Sequence, residues 1–265
     1  MLFDSHAHFD DEKFDAVGES GKAVREELLE RCFSEDGIGY IVSAGTNIAT
    51  SRAALMLAER YPQIYATAGI HPQDVELAEP DPAGTLGELR SLLANTKVRA
   101  LGEIGLDYHW DDPSRELQKK WFRLQLELAA ELDIPVQIHD RDAHGDCMDI
   151  LREYPDVHGV FHSFSGSAEM AAELVRRGWY ISFSGVVTFK NAQRMADVVR
   201  SVPSERIMAE TDSPYLAPHP LRGSLNYSGN VRYTVERLAE LKDLSFDEMS
   251  DITYKNACDF FGIAD

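Results

Sequence analysis

The sequence predicts an α/β fold, a single (β/α)8 TIM-type barrel running over residues 1–265. Three observations predict it. Short β-branched or apolar runs alternate with segments of helical periodicity along the whole chain. Eight such runs can be picked out, the number the barrel needs. The length of 265 residues is close to the roughly 250 typical of this architecture.

The candidate strands span residues 2–9, 38–44, 65–70, 99–106, 135–139, 159–163, 179–184 and 207–212. The segments between them carry apolar residues at helical spacing. Val24, Leu28, Leu29, Cys32 and Phe33 form one such stripe, Leu86, Leu89, Leu92 and Leu93 a second, and Leu117, Trp121, Leu124 and Leu128 a third. Met170, Leu174 and Val175 follow a candidate N-cap at Ser167, and Ser245 with Glu248 fits a capping box opening the last helix. An open doubly wound sheet is the competing arrangement; length and strand count favour the barrel.

With 44% hydrophobic residues the chain can bury a large core. No apolar run approaches the roughly 18 residues of a membrane span, so no membrane association is expected. The N-terminal residues lack the basic start and apolar stretch of a signal peptide. Three widely separated cysteines, Cys32, Cys147 and Cys258, argue against a disulfide framework, and a reducing, cytoplasmic setting is expected. The formal net charge of −19 counts against simple electrostatic capture of duplex nucleic acid. It leaves room for an enzyme whose bound metals grip phosphate.

Ionisable residues gather at the C-terminal ends of the predicted strands, the rim on which barrels of this kind build active sites. His6 and His8, two apart on the first strand, share a face. Glu103 sits in the apolar run Gly102–Leu106, as a metal ligand or as a salt-bridged structural carboxylate. His139 and His162 each end an apolar strand, and each alone reads equally as a hydrogen-bonded core histidine. Asp212 ends the eighth strand, as a ligand or as a turn residue. Jointly these six exceed what one tetrahedral ion needs. They suit two divalent cations, Mg²⁺, Mn²⁺ or Zn²⁺, with Glu103 as the shared ligand. Glu103 and Asp212 are the candidate catalytic carboxylates, with Asp212 steering or accepting a water proton. Two further rim residues are candidate substrate contacts. His71 either touches a phosphate oxygen, orients a ligand, or is a packed loop histidine. Arg141 either pairs with phosphate or bridges to Asp140, Asp142 or another acid.

These residues carry a family resemblance over nearly the whole chain. Asp4-Ser5-His6-Ala7-His8-Phe9-Asp10, Gly69-Ile70-His71-Pro72, Gly102-Glu103-Ile104-Gly105-Leu106-Asp107-Tyr108, Gln137-Ile138-His139, Phe161-His162-Ser163-Phe164-Ser165-Gly166 and Glu210-Thr211-Asp212-Ser213-Pro214-Tyr215-Leu216 together resemble the TatD-type deoxyribonucleases, a branch of the amidohydrolase-like barrels. The resemblance implies a (β/α)8 barrel, a divalent-metal requirement and hydrolysis of DNA, often from the 3′ end. It implies one metal on His6, His8 and Asp212 and a second on His139 and His162, with Glu103 between them. Relatives often carry Arg-Asn-Glu-Pro after the eighth-strand loop. Here Ser224-Leu225-Asn226-Tyr227-Ser228-Gly229 stands in that place, which puts substrate contacts from this loop in question. Other branches place a carbamylated lysine at strand four, where this chain has Glu103. The expected activity is therefore a 3′–5′ exodeoxyribonuclease acting on single-stranded DNA ends or short oligonucleotides. Its rivals are a barrel hydrolase of small amides, esters or lactones, and a non-catalytic metal-loaded scaffold.

Overall fold

The structure, a computed structural model, describes residues 1–18 and 20–264. All eight predicted strands are present: β1 (Leu2–Ala7), β2 (Ile38–Ala44), β3 (Ile64–Ala68), β4 (Val98–Asp107), β5 (Val136–Arg141), β6 (Gly159–Phe161), β7 (Tyr180–Phe183) and β8 (Ile207–Ala209). They pair in parallel in sequence order, β1 to β8. The sheet returns to its first strand just past the end of β8. Ala7 bridges to Ser213 in parallel. The Asp212 N–H donates to the His6 carbonyl at 2.9 Å and the His8 N–H to the Ser213 carbonyl at 2.7 Å. This closure gives the (β/α)8 barrel.

Ten α-helices are assigned among the described residues: α1 (Val24–Ser34), α2 (Ile48–Arg60), α3 (Val75–Ala78), α4 (Pro82–Leu93), α5 (Arg115–Leu132), α6 (His144–Arg152), α7 (Ala168–Arg176), α8 (Gln193–Ser201), α9 (Val231–Lys242) and α10 (Phe246–Phe261). The expected caps are formed. Ser167 accepts from the Met170 N–H, and Ser245 and Glu248 cap one another reciprocally. Large-residue periodicity does not single out α2, because its buried positions are the small residues Ser51, Ala54 and Ala58. Its start is instead marked by a reciprocal cap between Asn47 and Thr50. None of these helices is long and apolar enough to cross a membrane.

Several strands stop short of their expected ends. β1 ends before His8, β6 before His162 and β8 before Asp212. These residues begin the loops at the rim, where the backbone leaves the ladder. Asp212 takes a left-handed conformation with φ 56°, outside the extended region of a regular strand. Glu103, by contrast, lies in the middle of the long strand β4.

Two apolar layers support this rim. The larger lies mainly between barrel and helices and includes Ile41, Leu101, Ile104, Trp121, Phe122 and Leu174. The smaller joins Phe3, Val42, Ala100, Val160 and Met208, one from each of five strands, to Tyr254, Ala257, Phe260 and Phe261 of α10. Val160 of β6 and Met208 of β8 precede His162 and Asp212 along the chain, so the terminal helix packs beneath the functional rim. Between these levels Gln137 reaches across from β5, its Nε2 donating to the Ser5 carbonyl on β1 at 2.9 Å.

Gly105 sets the approach of β4 to β5. It pairs with His139, has φ 142°, and a Cβ there would run into the His139 carbonyl oxygen. Gly105→Ala is therefore expected to cost more than about 2 kcal/mol. Thermal unfolding should show Tm lowered by several degrees relative to the parent protein; an unchanged Tm would mean that the strands tolerate the wider spacing.

Candidate metal centre

The six predicted ligands, distant in sequence, come together at the rim. Seam closure carries Asp212 beside His6 and His8. Asp212 Oδ1 lies 3.4 Å from His8 Nε2 and 3.8 Å from His6 Nε2, and those two nitrogens are 3.0 Å apart. On the other side of the lumen, His139 Nδ1 and His162 Nε2 are 3.1 Å apart. Glu103 stands between the groups. Its Oε1 is 2.7 Å from His139 and 2.8 Å from His162, while its Oε2 is 3.4 Å from His6 and 3.6 Å from His8. Each carboxylate oxygen thus faces one pair of the predicted ligand imidazoles, with His71 a third neighbour of Oε1 at 3.6 Å. His6–His8–Glu103, His6–His162–Asp212 and Glu103–His139–His162 all bring ligand atoms within 4.8 Å of one another.

The outward ring nitrogens explain why the inward ones can bind a cation. His8 Nδ1–H donates to the Ala44 carbonyl at 3.1 Å, leaving its Nε2 lone pair facing the site. His162 Nδ1–H donates to Glu210 at 3.2 Å, and Glu210 also takes the Ser163 N–H at 2.8 Å. His139 is turned the other way round, with Nε2 on Asp107 at 3.1 Å and Nδ1 inward. Such carboxylate or carbonyl anchors fix ring orientation and raise ligand basicity. His6 lacks one: its buried Nδ1 has no hydrogen-bond partner. The donor set, four imidazoles and two carboxylates, fits a divalent cation of the Zn²⁺ or Mn²⁺ type.

Electrostatics point the same way. Burial opposes ionisation of Glu103, but the His162 charge and the His139 hydrogen bond outweigh it and hold the carboxyl well below its usual range. Asp212 is likewise held low, against burial, chiefly by its hydrogen bond with His8. Burial would lower His8, yet the Asp212 hydrogen bond and the Glu103 charge push it up to about 9. The same opposition raises His139 and carries His162 well above its ordinary value. Protons thus occupy the site wherever a cation does not.

Asp107 and Glu210 are functional residues that strand-end reasoning missed. Both carried a signal. Asp107 ends β4, four residues after Glu103, and Glu210 lies two residues before Asp212, just past the end of β8. Asp4 is a third. Fully buried, it accepts from the Thr211 N–H at 2.8 Å and from the hydroxyls of Thr211 and Ser228, each at 2.5 Å. Burial pushes it up to about 7 against those hydrogen bonds. Asn226 Nδ2 donates to the Thr211 carbonyl at 3.0 Å and the Tyr215 carbonyl at 2.6 Å. The atypical 224–229 loop therefore braces the end of β8, and none of its residues lines the cleft.

The cleft above the site has a volume of about 950 Å³ and is walled mainly by residues at or beyond the C-terminal ends of all eight strands. His71 lines it. Its Nδ1 accepts the Gln73 N–H at 3.1 Å and its Nε2 lies 3.6 Å from Glu103. Burial, helped by the positive His139, lowers His71 to about 3, so the ring is neutral. Arg141 also lines the cleft and is exposed. Among the described residues it forms no salt bridge: Asp140 pairs with His144 at 2.8 Å and Asp142 with His109 at 3.4 Å.

Two outcomes follow. In the metal-free protein, the raised His8 contributes stability in full below its ordinary value of 6.5 and loses it as pH rises through about 9. Metal-free Tm should fall across that window while the stabilisation given by added Mn²⁺ or Zn²⁺ grows. Calorimetric titrations at neutral pH in buffers of different ionisation enthalpy should show net proton release on metal binding, and none would mean the histidines are neutral. Separately, Glu210→Gln should weaken metal binding by roughly 10- to 100-fold with the fold intact, measured by metal titration, because His162 loses its anionic anchor.

Comparison with known proteins identifies the lineage. Residues 3–262 match the family described as TatD related DNase. The chain is 42% identical to the uncharacterized metal-dependent hydrolase YabD of Bacillus subtilis, over 99% of this chain and 100% of that one. It is 36% identical to the uncharacterized metal-dependent hydrolase YcfH of Escherichia coli, over 99% and 96% of the two chains. The crystal structure of YJJV, a TatD homologue from Escherichia coli, superposes with a TM-score of 0.86 at 30% identity, covering 99% of this chain and 98% of that one. Engineered organophosphorus hydrolases of Deinococcus radiodurans share the fold at TM-score 0.64 and 13% identity. The chain is a metal-dependent hydrolase belonging to the TatD-related DNase family.

Proposed function

We propose that this protein is a phosphodiesterase with two divalent cations, Mg²⁺, Mn²⁺ or Zn²⁺, removing nucleotides from the 3′ ends of single-stranded DNA or short oligonucleotides. One observation carries the reading: the two oxygens of Glu103 face separate histidine pairs, as a carboxylate shared by two cations requires. His6, His8 and Asp212 would hold one ion and His139 and His162 the other. When bound, the ions supply Lewis acidity toward phosphate oxygens and acidify water.

The chain's own residues supply the rest. Asp212 is ionised, stands at the open edge of the centre with its side chain 15% exposed, and is placed to take a proton from an attacking water. His71 is neutral with Nδ1 occupied, so its Nε2–H is a hydrogen-bond donor turned toward the site and suits a phosphate oxygen. Arg141 offers a guanidinium without a competing ion pair among the described residues. Cys32, Cys147 and Cys258 are buried thiols, in keeping with a reducing cytoplasmic setting.

The acidity of the cleft favours a second reading, hydrolysis of a small neutral amide, ester or lactone. Asp10, Asp11, Glu12, Asp74 and Asp140 join the wall, and Arg141 is the one arginine or lysine among the described lining residues.

The two readings separate in one experiment. Chelated protein is reloaded with Mg²⁺, Mn²⁺ or Zn²⁺ and offered end-labelled single- and double-stranded DNA, RNA, nitrophenyl esters and lactones. Single-stranded DNA should be shortened from its 3′ end, only with metal. Activity surviving full chelation, or esters turned over faster than oligonucleotides, overturns the proposal. Glu103→Gln should lose both ions by elemental analysis and lower kcat by roughly 10²-fold or more; two full equivalents in that variant would remove Glu103 from the bridging position.

A further inference from the structure

Resting on the phosphodiesterase reading, we propose that Trp110 and Tyr215 are stacking platforms for two nucleobases, one on either side of the metal centre. The loops after β4 and β8 present these rings. In an eight-stranded barrel ordered β1 to β8, those strands stand opposite one another, with the metal centre between them. Trp110 is 55% exposed and Tyr215 45% exposed; they are the two aromatics among the large exposed apolar side chains, and both line the cleft. Water-exposed aromatic faces confined to the mouth of a catalytic cleft mark a ligand surface.

Both rings are held in place. The His109 ring meets Trp110 edge-on, with centroids 4.8 Å apart at 86°. Tyr215 donates its hydroxyl hydrogen to Asp11 at 2.6 Å, and the Lys13 ammonium lies 3.9 Å from its ring centroid. Two pre-positioned rings lose little freedom when a base stacks on them.

Charge explains why the site needs them. The cleft wall is acidic and Arg141 is its one arginine or lysine among the described lining residues, so side-chain contacts to successive phosphates cannot supply much affinity. Stacking does not depend on phosphate charge, accepts any base, and changes affinity by roughly tenfold per base. It also requires bases that are free of a duplex. The platforms thus select unpaired strands, with the phosphate between two stacked bases delivered to the centre.

The test crosses a protein change with a substrate change. Trp110→Ala and Trp110→Phe are assayed, fully metal-loaded, on a short single-stranded deoxyoligonucleotide and on the same oligomer with tetrahydrofuran abasic residues at its 3′ end. On the intact oligomer Trp110→Ala should raise KM roughly tenfold with kcat little changed, and Trp110→Phe should restore most of the loss. On the abasic oligomer, wild type should already show the raised KM and Trp110→Ala should add nothing. Equal KM for wild type and Trp110→Ala on the intact oligomer overturns the proposal, as does an equal loss on both substrates, which marks a structural role. If wild type cleaves neither oligomer in any metal, the phosphodiesterase reading fails with it; turnover indifferent to Trp110 sinks the stacking role alone.

Discussion

The barrel seam is the constraint on which the functional end of this molecule depends. Two backbone hydrogen bonds, Asp212 to His6 and His8 to Ser213, join the first strand to the segment that follows the last. They bring a carboxylate near the end of the chain against two histidines near its beginning. The seam is braced from outside by Asp4, which holds Thr211 and Ser228, and by Asn226, which ties down two carbonyls of the same loop. A closed parallel sheet has no free edge, so these ligands are fixed by the same hydrogen bonds that complete the fold.

Within that frame Glu103 governs the charge. A carboxylate 3% exposed, in the middle of a strand, would be costly alone. Five imidazoles lie within 3.6 Å of its oxygens, and those of His6, His8, His139 and His162 offset that cost, whether by carrying protons or by sharing cations. Asp107 and Glu210 extend the arrangement outward, each anchoring the far nitrogen of a histidine. The result is a concentrated centre at the base of an acidic cleft. On the proposed reading, attraction for an anionic substrate would come from the ions this centre would hold and from uncharged contacts along the wall, and not from a basic surface.

Legibility from sequence followed burial and period. All eight strands could be read because β-branched and apolar runs mark buried parallel strands. The helix α2 left little trace because it packs through alanine and serine. Strand ends were drawn too long at His8, His162 and Asp212, where the chain past Ala7, Phe161 and Ala209 turns into the rim loops. Asp107 and Glu210 were overlooked because a residue that orients a ligand looks, in sequence, like any other acid near a strand end.

The sequence by itself determined the architecture and the six candidate side chains, because each lies in or at the end of an apolar run and the rim is common to every such barrel. Only the tertiary structure decided how they divide. Which oxygen of Glu103 faces which histidines, that His139 turns Nδ1 inward while His8 and His162 turn Nε2, and that the neighbours of Arg141 engage other histidines all depend on through-space distances. So does the turning of the 224–229 loop against the barrel wall and away from the cleft. A one-dimensional pattern records which face a residue occupies; ring orientation and hydrogen-bond partner are set by neighbours contributed from other strands.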